Sequence, residues 1–141
     1  MTGARIFPFL ALMLAADFQP TQGRPAGDLA QTVVTGSWGG PRVGLVLDAS
    51  GGRLEYDCAT GGIEQPLRLD GQGRFSATGH HIAGAGGPER VGYVPPRSPA
   101  SYSGRVEGDT MTLLVRIPSL GVEIGPLALR RNAQPMLVRC L

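Results

Sequence analysis

His80 and His81 stand side by side and are the only two histidines in the chain. Imidazole carries protons near neutral pH and ligates metals, so a catalytic or metal site would recruit such residues first. Neighbours on a strand point to opposite faces, so on a strand the pair cannot close on a single ion. His81 shares its parity with Phe75 and Ala77, which predicts an inward His81 and a solvent-facing His80. Glu55 and Asp57 alternate with Arg53, a spacing suited to ion pairs between neighbouring strands rather than to acid–base work. Ser101 and Ser103 flank Tyr102 without the pattern of a nucleophile elbow. The glycine stretches beginning at Gly36 and Gly84 do not lie between a strand and a helix, the context a phosphate loop requires. The residues imply no catalytic constellation, no metal site and no cofactor, and they argue against an enzyme.

The elements that would position these residues are short strands. Val43, Leu45 and Leu47 alternate with other residues, as do Leu54, Tyr56 and Cys58, whose off-face partners are Arg53, Glu55 and Asp57. Period two with charge on the off face marks a strand with one wet side. Residues 63–69, 74–79, 102–107 and 110–117 repeat the pattern, the last with Met111, Leu113, Val115 and Ile117 in one row. Residues 33–38 precede them as a first strand. In residues 122–130 the apolar phase switches at Gly125-Pro126, which predicts a bulge. Residues 136–141 read as a final strand. Short connections rich in Gly, Asp and Ser predict antiparallel hairpins. One stretch, residues 83–100, loses the period. The expected fold is therefore all-β: an antiparallel up-and-down meander of eight or nine strands closed into a small β-barrel, with a two-sheet β-sandwich as the alternative.

Composition supports that class. The chain has 141 residues, 42% of them hydrophobic, with 22 glycines and 12 prolines. So many helix breakers exclude a helical bundle, and so much hydrophobic content excludes wholesale disorder. A net charge of +2 gives no reason to expect a nucleic-acid partner. Residues 6–16 form an apolar run behind Arg5, long enough for a signal-peptide core and too short for a bilayer span. The expected organisation is a signal peptide at 1–16, a leader at 17–31 and one barrel domain at 32–141. The protein is then exported, periplasmic or extracellular, with no membrane span in the mature chain.

Gly36-Ser37-Trp38 ends the expected first strand. A Gly-x-Trp triplet there resembles the opening of lipocalins and avidins, eight-stranded meander barrels in which the Trp plugs one end. That likeness implies a plug at Trp38 and assigns no ligand position. A broader likeness rests on the stretches beginning at Trp38, Leu54, Ser101 and Leu137. Together they resemble a family of small exported bacterial proteins with no assigned activity. Members often carry His where this chain has Arg42, so no metal or catalytic role is carried over to that position.

An eight-stranded barrel is just wide enough to be filled by its own side chains or to hold one small ligand. Trp38, Arg42, Tyr56, His81 and Tyr102 are the residues that would contact such a ligand, and a filled interior is the stronger expectation. The function read from the sequence is a non-catalytic binding module for a small molecule or a protein. The alternative is an inhibitor of a secreted hydrolase that uses the irregular 84–99 loop. Cys58 and Cys140 are the only cysteines, and in an oxidising compartment an even pair predicts a disulfide between them.

Overall fold

The structure is a computed structural model that describes Gly3, residues 32–84, Pro88 and residues 90–138. Eight strands follow in order: β1 (Gly36–Gly40), β2 (Val43–Leu47), β3 (Gly52–Tyr56), β4 (Ala59–Ile63), β5 (Arg74–Ala83), β6 (Ser98–Glu107), β7 (Thr110–Ile117) and β8 (Val122–Arg131). Each pairs antiparallel with the next, and β8 returns to β1 through Trp38–Arg131 and Gly39–Arg130. The sheet is a closed barrel, not a sandwich, and closure leaves neither edge free to template other chains.

Alternation fills the barrel. Leu45, Leu54, Met111, Leu113, Val115, Ile117 and Leu129 are fully buried on the inner face, and Trp38 is buried with them. The Arg131 guanidinium lies over the Trp38 ring at 4.3 Å from its centroid, while the indole N–H donates to the Thr35 carbonyl at 3.3 Å. The expected bulge is present. The β7–β8 register shifts between Leu113 and Val115, opposite the cis Gly125–Pro126 bond.

Five expectations shift. The first strand begins at Gly36, and Val33 makes only an isolated bridge to Arg68. The fourth strand is Ala59–Ile63 rather than 63–69. Pro66 lacks the N–H a ladder needs, and Leu67 is instead buried from the connection that follows, its carbonyl accepting from Val34 N–H at 2.8 Å. Cys58 does not end a strand on its inner face. It lies in the Asp57–Cys58 turn between β3 and β4, with φ of 64°. Residues 136–138 are not part of a ninth strand, since only Met136 bridges, parallel to Pro41. The irregular connection is also shorter than expected, because Ala83 ends β5 and Ser98 begins β6.

After β8 the chain turns at Asn132 and runs back along the outside of β1 and β2. A side chain at Gly39 would overlap the Ala133 carbonyl, and one at Gly44 would touch the Pro135 ring at 3.0 Å. The two glycines face outward opposite each other in the β1–β2 register. Their missing side chains form the track on which residues 133–135 lie.

Candidate functional site

Hairpin topology sets the two ends of the barrel apart. The connections β1–β2, β3–β4, β5–β6 and β7–β8 lie at one end, called here the loop end. The other connections, with the first residues of β1 and the last of β8, lie at the opposite end. The strap formed by residues 132–138 starts at the opposite end and finishes at the loop end. There Met136 N–H donates to Gly40 at 3.1 Å, Arg42 N–H donates to Met136 at 2.8 Å, and Val138 N–H donates to the Asp57 carboxylate at 2.9 Å.

Inside the barrel, three of the five expected contact residues come together. The Tyr56 and Tyr102 hydroxyls are 3.2 Å apart, and Tyr102 donates to the His80 carbonyl at 2.6 Å. Tyr56 is therefore the donor between the two phenols. The His81 ring lies 5.8 Å from the Tyr56 ring, centroid to centroid. Gly61 makes room for the group: a side chain there would come within 2.6 Å of the Tyr56 hydroxyl and collide with that of Tyr102.

Burial keeps this interior group uncharged. Burial raises the pKa of both tyrosines, and the Tyr102 hydroxyl raises that of Tyr56 further. Burial lowers that of His81, so the imidazole is neutral at pH 7. His81 Nδ1 is buried and has no hydrogen-bond partner among the described residues. His80 faces outward as its parity predicts, with its Nδ1 2.8 Å from Glu64.

Trp38 and Arg42 lie away from this group. Trp38 pairs with Leu45 and Arg131, towards the end opposite the tyrosines. Arg42 sits in the β1–β2 turn with φ of 68°, mostly exposed, and pairs with Asp57. The Val138 N–H, then the Arg42 guanidinium, hold the Asp57 carboxyl below its usual range. The ion pair expected around Arg53 is corrected accordingly. Asp57 leaves the strand face for the turn and takes Arg42, while the cross-strand neighbours of Arg53 are Val46 and Gly62. Ser101 and Ser103 fall on the outward row, beside Thr78 and Ser76.

The irregular 84–99 loop expected to make contact carries one part of an apolar surface at the loop end. Val91, Tyr93 and Val94 are exposed on the β5–β6 connection, Leu120 and Val122 at the β7–β8 connection, and Met136, Leu137 and Val138 at the end of the strap. An apolar residue inside an unpatterned segment was the available signal, and periodicity does not register it. An open groove also runs along the outer face between the strap and β2–β3, bordered by Val46, Arg53, Glu55, Gln134 and Pro135.

No group of three or more His, Cys, Asp or Glu residues suited to a metal occurs among the described residues. None of their helices is long and apolar enough to cross a membrane. No family model, curated protein or solved structure matches the chain. Function therefore rests on the geometry alone.

Proposed function

We propose that the protein is an exported, non-catalytic binding module that engages a macromolecular partner with the outer surface of its loop end. The observation that carries this reading is the exposure of Val91, Tyr93 and Val94 on a connection held between two ten-residue strands. Exposed apolar clusters on a folded domain commonly mark interaction sites. Inside the barrel, the layer that a small ligand would use is occupied by Trp38, Tyr56, Tyr102 and their aliphatic neighbours, which favours surface recognition.

Inhibition of a secreted hydrolase is the second reading. Pro95 and Pro96 stiffen the connection next to its apolar residues, as suits a segment that must enter a cleft without losing much entropy. Export rests on the apolar run at residues 6–16 and on the cysteine pair. Cys140, with residues 1–2 and 4–31, lies outside the described residues. Two features support a Cys58–Cys140 bridge. Cys58 is not a free thiol, and Val138 is hydrogen-bonded to Asp57, so Cys140 follows two residues after an anchor adjacent to Cys58.

The test is capture from periplasmic and culture fractions, using the protein and a Val91→Ser, Tyr93→Ser, Val94→Ser variant. A partner retained by the first and lost by the second supports the reading. Equal capture by both proteins rejects it, and so does capture by neither when the protein also binds no membrane surface.

A further inference from the structure

Among the described residues, nine large hydrophobic side chains are exposed, and all but Val46 lie at the loop end. They come from three separate segments: the β5–β6 connection, the β7–β8 connection and the end of the strap. Chance exposure would scatter them around the barrel. The alternating closure that builds the barrel brings these segments to one end, so the apolar surface is composite and cannot be seen in any one of them.

The acids Glu107 and Asp109 at the opposite end pair with Arg105 and Arg131. At the loop end Asp57 is matched by Arg42 and Glu123 by Arg116. Arg90 and Arg97, on either side of Val91, Tyr93 and Val94, have no ion-pair partner among the described residues. Glu89 belongs to the same connection and lies outside the described residues; counting it, the β5–β6 connection still carries one more arginine than acid.

We propose that the loop end docks on an anionic lipid surface, its apolar side chains entering the headgroup boundary and Arg90 and Arg97 meeting lipid phosphates. The proposal rests on the reading of this end as the working surface and names the partner. A second copy docking end to end would bring arginine against arginine. A protein partner would need a matched relief, and the apolar side chains here project from three separate segments, while the open groove runs along the outer face. A bilayer boundary is fluid and takes up separate apolar projections without shape matching, and its phosphates attract arginine.

The secreted protein is mixed with vesicles of phosphatidylglycerol and phosphatidylcholine in equal parts, or of phosphatidylcholine alone, and sedimented. Binding is expected to the first and at least roughly tenfold weaker to the second, with a fall as salt rises. Arg90→Glu with Arg97→Glu should weaken binding, and Val91→Ser, Tyr93→Ser, Val94→Ser should abolish it. These positions are exposed, and an unchanged unfolding temperature shows that the variants are folded. Equal binding to both vesicles, binding to neither, or binding unchanged in the apolar variant overturns the proposal. A protein captured through the same three residues, with no vesicle binding, overturns the lipid partner and leaves the binding-module reading standing. Loss of both ends both.

Discussion

The hydroxyls of Tyr56 and Tyr102 meet 3.2 Å apart inside the barrel, beside the backbone of Gly61. The two tyrosines are on β3 and β6 and do not pair through the sheet. They meet across the interior because the strand between them that carries Gly61 presents no side chain. A buried hydroxyl without a partner costs about 1–3 kcal/mol, so the chain of donors from Tyr56 through Tyr102 to the His80 carbonyl fixes both rings.

Gly61→Ala should therefore destabilise the barrel. The added methyl collides with the Tyr102 hydroxyl and presses on that of Tyr56, and overpacking of this kind costs about 1–3 kcal/mol. Urea unfolding followed by circular dichroism measures the loss. Stability equal to that of the parent would show that the tyrosine pair is not close-packed on Gly61.

Much of the barrel is legible in the sequence because alternation records one inner face. Met111, Leu113, Val115 and Ile117 give β7 without ambiguity. β4 is different: Gly61 at its centre and Gly62 beside it carry no hydropathy signal, so the pattern places the strand further on, where Leu67 is a buried loop residue. Parity predicted the faces of His80 and His81. It does not record height along the barrel axis, so it does not separate Trp38 from tyrosines that lie towards the other end. The outward glycines Gly39 and Gly44 read as loop residues until the strap that covers them is seen.

His81 gives a pH dependence whose sign is fixed. Burial lowers its pKa in the folded protein below the ordinary value of 6.5. As pH falls below that value, the unfolded chain takes up the proton more readily than the folded one, so stability drops and levels off only below the folded pKa. The carboxylates Asp48, Asp57 and Asp70 have pKa values lowered from 3.8. Their contribution is lost only in stronger acid, which leaves the interval between about pH 5 and 7.5 to the histidine. Urea midpoints in the parent should fall across that interval, and in His81→Leu the fall should shrink. An identical slope in the two proteins would remove His81 as the cause.

The strap makes a separate prediction. Gly39→Ala places a methyl against the Ala133 carbonyl and within 2.8 Å of the Pro135 nitrogen, two backbone groups that cannot swing aside as a side chain can. The strap must lift or β1 must distort, at a cost of about 1–3 kcal/mol. Hydrogen exchange locates the damage: the amides of Arg42 and Met136, both bonded across the strap, should lose protection while that of Leu113 in β7 keeps it. Unchanged protection at Arg42 and Met136 would show that the strap does not depend on the glycine track.

The end of the strap carries the last prediction. Val138 N–H donates to the Asp57 carboxylate, in the turn that also holds Cys58. A disulfide needs the two Cα atoms about 4.4–6.8 Å apart, and Cys140 follows Val138 by two residues. A Cys58–Cys140 bridge would enclose nearly all of the barrel, and the chain-entropy model gives at most about 4.5 kcal/mol of stabilisation for a loop of that length. Cys58→Ser should lower stability by up to that amount. Cys140→Ser should match it, and the double variant should add nothing, because each single change already opens the bridge. Intact mass of the secreted protein before and after reduction decides the pairing directly. Two thiols free to alkylation in the unreduced native protein would refute both the bridge and the oxidising compartment inferred from it.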